Sequence, residues 1–372
     1  MPTVKQNGFE GKLYTGDGTK NKVMIVMSGS NGGMKLTRQE ASFYHKNGIP
    51  ALALALFKTN QTGKFLDRVP VEYVENAIKW LKEQGYQKIG IDGMSKGSEM
   101  ALLAASMFPE LSCVIARVPS YFVSEGLSGK GLAKGPSGTS CWSYKGKEIP
   151  YAPYNKRAFD ILKMFKEEKE LHIIRFNRDK NVTPETVIPV ENIKAPILLL
   201  SSKNDEVWPS YESSVYIENR LRNKAFSYPV RHIAFEHTSH VMTTKIPLGI
   251  KLVFKSERQH PKECKAERIE LQKELINWVK LAEIKQDGFK LEIIRSRSPS
   301  LLYSIPISCL RHFKNAAAGL LNTGFFFQTT TRPLVRSGVN GTKASLLLPP
   351  VFTRPSRQNA APSPCSTKIA AL

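Results

Sequence analysis

No run in this sequence approaches the roughly 20 consecutive apolar residues that a bilayer span needs, so no membrane-spanning helix is expected. Met1 to Gly8 lacks an apolar core of the kind that marks a secretory signal, and none is expected. Cysteine is scarce. The five, at 113, 141, 264, 309 and 365, are too few and too scattered for a disulfide framework or a zinc site. A reducing compartment, most simply the cytoplasm, is therefore the default. Acidic residues are also few, with 32 Asp/Glu against 54 Lys/Arg and a formal net charge of +22. The excess is uneven: residues 286–372 hold 11 Lys/Arg and 2 Asp/Glu, or +9, leaving +13 for residues 1–285. A basic surface attracts nucleic acid, anionic membrane or phosphorylated substrates. No nucleic-acid motif is present, and no nucleic-acid partner is expected. A solvated lysine surface explains the charge equally well.

What is there suffices for a large core. The chain has 372 residues, 41% of them hydrophobic and 23% charged, a globular balance. Its first 285 residues alternate strand-like with helix-like segments, the pattern of a mostly parallel sheet covered by helices on both faces. Apolar runs at Val23–Gly29, Pro50–Phe57, Lys88–Met94, Cys113–Val118 and Pro196–Ser201 read as buried strands, and Val230–Phe235 as a more polar one. Between them, Val71–Gln84 places Val71, Val74, Ala77, Ile78 and Leu81 on one helical face, with Gly85 as a stop. Gly97–Phe108 is small and apolar almost all round, as in a helix buried against a sheet. Lys265–Lys285 sets Ile269, Leu271, Leu275, Ile276, Trp278, Val279 and Leu281 among charges, as in a closing helix.

Residues 120–190 break the alternation with glycine-rich loops and a charged segment, and are expected to form an insertion over the C-terminal edge of the sheet, where open α/β sheets bind ligands. From about 286 onward Ser, Thr, Pro and Arg dominate and no period is sustained. This basic tail is expected to be disordered; the alternative is a readthrough or mis-assigned exon.

The sharpest local signal is Gly93-Met94-Ser95-Lys96-Gly97, a G-x-S-x-G between a strand and a helix. A tight turn exposes the serine hydroxyl, and the glycines let the backbone fold without clash. Ser95 would sit at a helix N-terminus, with the Lys96 N–H as a natural oxyanion donor. A bare match is weak, and its plain reading is a glycine-rich connection; the flanking elements make it specific. A second donor is expected from Ser28–Gly33 after an early strand, with Asn31 and Gly32 as candidates.

In α/β-hydrolases the chain order is nucleophile, acid, histidine. Asp205 follows the Pro196–Ser201 strand and is placed to orient an imidazole; Glu206 is the alternative, although adjacent residues on an extended end point apart. An Asp there could instead cap a helix, a role Ser210 could also take. Of the histidines past the next strand, His232 falls within it and reads as structural or exposed. His240 is the preferred general base over His237.

These segments together resemble the C-terminal catalytic domain of the acyl-CoA thioesterase and bile-acid-CoA:amino-acid N-acyltransferase family, over about residues 9–285. The resemblance is carried by Gly93–Ser106, by Ser28–Gly33 leading into Pro50–Phe57, by Tyr144–Pro150, and by Ile188–Glu191 with Asp205-x-x-Trp208. It implies an α/β-hydrolase fold with Ser95 as nucleophile, Asp205 as acid and His240 as base. Members with serine rather than cysteine tend toward hydrolysis, so the resemblance implies an acyl-CoA thioester hydrolase that releases fatty acid and coenzyme A, with no cofactor or metal. Lys35 and Lys130 could meet the phosphates of coenzyme A.

The chain departs from the family at Ser239, where glycine is usual, and at Val241–Thr244, which replaces a proline-rich stretch. Animal members carry a preceding β-sandwich, for which little sequence is present here. The final Ala370-Ala371-Leu372 does not fit a peroxisomal signal. Rival readings are a carboxylesterase or dienelactone-hydrolase-like enzyme, an acyl-CoA:amino acid N-acyltransferase, and a catalytically idle hydrolase fold used as a binding module.

Overall fold

The computed structural model describes residues 1–16, 20–129, 135–154, 181–205, 207–246, 249 and 254–285. All the described residues fall within one compact unit. The expected tail over 286–372, Lys130, Glu206 and residues 155–180 of the expected insertion lie outside the described residues.

Seven strands form the central sheet: β1 (Gly11–Tyr14), β2 (Lys22–Met27), β3 (Ala51–Leu54), β5 (Lys88–Met94), β6 (Leu111–Arg117), β11 (Ile197–Ser202) and β12 (Val230–Phe235). Their order is β1-β3-β2-β5-β6-β11-β12. Only β1 runs antiparallel to its neighbour, so the sheet is mostly parallel, as expected. Six of the seven are the strands expected from the apolar runs. The exception, β1, alternates Lys12 and Tyr14 with smaller residues and shows no sustained apolar signal, as suits an edge strand.

The strands alternate their side chains between two apolar layers. Val23, Ile25 and Met27 of β2, Leu52 and Leu54 of β3, and Ile197 and Leu199 of β11 pack with α3 (Glu72–Glu83), α4 (Lys96–Met107) and α5 (Ser210–Asn223). Met24, Val26, Ala51, Ala53, Leu198 and Leu200 face α2 (Lys35–Lys46) and α7 (Pro261–Lys285) instead. Both faces are therefore covered, which is why these strands read as continuous apolar runs. Two short helices, α1 (Val4–Asn7) and α6 (Lys255–Gln259), complete the α-helices of the described residues, beside two 3-10 turns at Pro184–Thr186 and Val190–Asn192.

Helix α7 begins earlier than the Lys265 start expected from its periodicity, and its buried face is narrower. Leu271, Leu275, Trp278 and Val279 are buried at spacings of four, three and one, while Ile269 and Leu281 point outward and are exposed. In the 120–154 segment the expected loops contain four short strands: β7 (Glu125–Ser128), β8 (Gly135–Ser140), β9 (Trp142–Tyr144) and β10 (Lys147–Glu148). β7 pairs with β8, and β9 lies between β10 and β4 (Val69–Pro70). Glycine and serine hide these strands from periodicity but permit their close packing. A Cβ on Gly126 would come within 2.6 Å of the Leu66 carbonyl oxygen.

Strand order reverses between β2 and β5, where β3 lies to one side and β6 to the other. Crevices at such a switch point receive ligands. The register Met27↔Gly93 sets the loops after β2 and β5 side by side there.

Candidate active site

The turn after β5 is built by close approach. A Cβ on Gly93 would fall 2.0 Å from the Gly97 carbonyl oxygen, and one on Gly97 would fall 2.5 Å from that of Ser28. With both positions bare, Ser95 takes φ 58° and ψ −121°, a strained conformation for a residue with a side chain. Its N–H donates to the Arg117 carbonyl at 2.9 Å, and its own carbonyl accepts from the N–H groups of Ser98 and Glu99. Ser95 thus stands ahead of the first turn of α4, whose leading N–H groups have no acceptor within the helix.

Asp205 leaves the C-terminal end of β11, and His240 lies five residues past β12. The structure brings both to Ser95. His240 Nε2 is 2.9 Å from Ser95 Oγ, and His240 Nδ1 is 2.9 Å from both Asp205 carboxylate oxygens. A carboxylate only accepts, so Nδ1 carries the proton and Nε2 is left to accept from the serine hydroxyl. Asp205 Oδ1 also accepts the N–H groups of Val207 and Trp208, at 3.0 and 3.2 Å. The Trp208 ring meets the imidazole edge-on, with centroids 4.9 Å apart, and its Nε1–H donates to the Val118 carbonyl. Ser95, His240 and the Asp205 carboxylate are all buried.

The other candidates lie elsewhere. His237 lies beside His260, with ring centroids 4.6 Å apart and the planes tilted by 39°. His232 is held within β12 by Ser201 Oγ and Glu218. Ser210 is the first residue of α5 rather than its cap. Lys35 is exposed at the start of α2.

The loop after β2 holds the expected oxyanion candidates Asn31 and Gly32. It meets the serine at Gly29, where a Cβ would fall 2.8 Å from Ser95 Cβ. Gly32 lies instead against Phe57 and Lys58, and its N–H closes a turn onto the Gly29 carbonyl at 3.3 Å. Asn31 is exposed, with its side-chain amide turned to the Gly32 carbonyl. A run of small residues does not reveal which of them will face the neighbouring turn.

The loop carrying His240 has no regular structure, yet it is hydrogen-bonded along its whole length. Glu267 accepts the N–H groups of residues 236–238 and the Thr238 hydroxyl. Arg268 donates to the Val241 and Thr243 carbonyls and to Glu257, and Glu257 accepts from Ser239 Oγ. From the other side, Arg117 donates to the Met242 carbonyl at 3.0 Å, and Glu40 accepts the Thr244 N–H and hydroxyl. Arg117 is fully buried between Glu40 at 2.7 Å and Asp92 at 2.9 Å. Burial alone would lower its pKa, but the two carboxylates raise it above the usual arginine value. Burial pushes the Asp92 carboxyl upward, against the pull of Arg117 and of the Tyr44 hydroxyl that donates to it. The departures at Ser239 and Val241–Thr244 are therefore tied into this clamp. No sequence signal marked Glu267, Arg268, Glu40 or Arg117, because the contacts they make here span 25 residues or more, apart from that of Arg268 with Glu257.

Residues 69–248, just under half of the chain, match the family described as BAAT / Acyl-CoA thioester hydrolase C terminal. The mouse (Mus musculus) peroxisomal succinyl-coenzyme A thioesterase is 26% identical over 215 residues, covering 55% of this chain and 47% of that protein. The mouse mitochondrial acyl-coenzyme A thioesterase 2 is 26% identical over 202 residues, with 54% and 40% covered. The chain spans about half the length of the curated relatives it matches. Among solved structures, Est1E from Butyrivibrio proteoclasticus overlays with a TM-score of 0.42 at 13% identity, covering 73% of this chain and 96% of that one. The esterase Pf2001 of Pyrococcus furiosus gives 0.40 at 17%, covering 75% and 96%. Among the described residues no helix is long and apolar enough to cross a membrane.

Proposed function

We propose, from the premise that this chain belongs through residues 69–248 to the BAAT / acyl-CoA thioester hydrolase C-terminal family, that it hydrolyses acyl-CoA thioesters with Ser95 as nucleophile. The observation that carries the reading is the chain of contacts from Ser95 Oγ through the His240 ring to the Asp205 carboxylate, each link 2.9 Å. His240 Nε2 takes the serine proton as Oγ attacks the thioester carbonyl, and Asp205 holds the ring in the tautomer that allows it. The tetrahedral oxyanion is met by the Lys96 N–H and by an N–H of the loop where it touches Ser95 at Gly29. The protonated imidazole returns its proton to the departing thiolate, and coenzyme A leaves. Water, deprotonated by His240, then opens the acyl-serine to free fatty acid.

Hydrolysis is favoured over transfer to an amine because an oxygen ester on Ser95 reacts less readily with amines than a cysteine thioester would. The exposed Lys35 is proposed to meet a phosphate of coenzyme A, in which case the Michaelis constant rises with ionic strength. The cytoplasm is the proposed compartment, and fractionation of cells expressing a tagged chain would test it.

Thiol release by the full chain from acyl-CoA of several lengths, beside small oxygen esters, tests the proposal. Release lost in Ser95→Ala supports it. Turnover of oxygen esters alone would replace it with a carboxylesterase.

A further inference from the structure

Lys96, the residue after the nucleophile, is buried to 1% exposure, and the oxyanion role of its backbone does not explain its side chain. A buried ammonium is costly unless it is paired and hydrogen-bonded. Its Nζ is 3.3 Å from Glu99 Oε2, one helical turn on. It also donates to Ser124 Oγ and, at 3.0 Å, to Cys141 Sγ, and it lies 5.4 Å from the centre of the Tyr154 ring. Glu99, with no exposure at all, accepts three further bonds: the Ser124 N–H at 2.9 Å, the Ser124 hydroxyl at 2.7 Å and the Trp142 Nε1–H at 2.8 Å. Burial opposes the lysine charge, but the Cys141 sulfur and Glu99 carboxylate beside it keep the ammonium pKa well above that of ordinary lysine. Burial likewise pushes the Cys141 thiol up to about 12, so it remains a neutral donor to the Glu125 carbonyl.

These partners share one origin. Ser124, Cys141, Trp142 and Tyr154 all belong to residues 120–154, which leave the sheet at the C-terminal end of β6, beside the Ser95 turn. On its other side the ammonium lies 5.9 Å from the Trp208 ring, whose edge meets His240. We propose that Lys96 and Glu99 are a dock that fastens residues 120–154 to the helix of the nucleophile, and that through this dock they set which acyl groups fit beside Ser95. They are positioning residues, and the second half of the proposal rests on the acyl-CoA reading above.

The pair suits this task better than an apolar contact would. One carboxylate satisfies four donors, three of them from the insertion, so the insertion cannot shift along α4 without stripping hydrogen bonds from a buried ion pair. The link to the nucleophile is short: Glu99 is four residues from Ser95, and its N–H bonds the Ser95 carbonyl at 3.2 Å.

The test uses the full chain with Glu99→Gln and, as a gentler variant in case the first fails to fold, Trp142→Phe, which removes a single donor. Hydrogen exchange by mass spectrometry is read first. The proposal expects amides at 122–127 and 139–142 to exchange about tenfold faster or more, while β5 and β11 keep wild-type protection. Unchanged exchange in the segment, or an equal rise across the sheet, would overturn the dock whether or not the protein cleaves acyl-CoA. The second readout is the Michaelis constant across acyl lengths. The ratio of long-chain to short-chain values is expected to shift by about fivefold or more, with kcat on short chains held within about twofold. A uniform fall in kcat at an unchanged ratio would overturn the selectivity role and leave the dock standing. If wild-type protein cleaves no acyl-CoA, it is the catalytic reading that fails, and hydrogen exchange still decides the dock.

Discussion

Two buried ionic clusters flank Ser95, and they differ in how they are assembled. Around Arg117, the cation comes from the end of β6 and the acids from α2 and β5, so its members lie far apart in sequence. Around Lys96, cation and acid are three residues apart on one helix. The first spends its remaining bonds on backbone groups of the irregular loop that carries His240. The second spends them mainly on groups of the 120–154 segment. The cluster assembled from distant elements holds the loop of His240, whereas the local pair holds the 120–154 segment against α4. Neither is a stability device in itself, since a buried ion pair gains little over a well-packed apolar substitute but costs much when one partner is removed.

Breaking the first cluster should have the largest effect. Arg117→Met leaves Asp92 and Glu40 buried without their cation and should cost about 3–5 kcal/mol in urea unfolding. Hydrolysis should fall with it, because the Met242 carbonyl two residues past His240 loses its donor. A loss below about 1 kcal/mol would mean that Arg117 is not the keystone of the loop.

Arg268→Met sharpens the comparison from the opposite side of the same loop. Three acceptors, the Val241 and Thr243 carbonyls and Glu257, lose a nearly buried donor, at a cost of about 1–3 kcal/mol. Turnover should fall on the order of tenfold through displacement of His240, with Arg268→Lys recovering part of it. An unchanged kcat would show that the loop is held by Arg117 and Glu40 alone.

The smallest effect is expected at a pair that touches neither cluster. Arg220 holds Glu191 in two bonds of 2.7 Å near the surface, and Arg220→Gln should cost less than about 1 kcal/mol. Its hydrogen bond with Arg220 keeps the Glu191 carboxyl below its ordinary value. That contribution is therefore present above the unfolded value of roughly 4.3 and is lost as pH falls through the lower folded value. Stability curves of the two proteins should converge on the acid side; a constant gap from pH 3 to pH 7 would contradict the assignment.

The sheet and the catalytic candidates were legible in the sequence for different reasons. Buried parallel strands show as apolar runs, and Gly93 and Gly97 show because close approach there excludes any Cβ. Asp205 and His240 were singled out by their order after successive strands, and both lie at Ser95 in the structure. The edge strand β1 and the short strands of 120–154 were not legible, because polar and small residues carry no period there. Which part of the Ser28–Gly33 loop touches the serine was not legible: it is Gly29, while Gly32 lies against Phe57 and Lys58. The charged clamps were invisible for a related reason. A lysine and a glutamate three residues apart carry no signal of their own, and it is the 120–154 segment that supplies most of their partners.

The central claim is that Ser95 is an activated nucleophile, and an active-site serine probe reads it directly. Incubating the full chain with a fluorophosphonate and mapping the adduct by peptide mass should place it on Ser95, with none in Ser95→Ala and slower labelling in His240→Ala. Labelling at another residue, or none in correctly folded wild-type protein, would contradict the account.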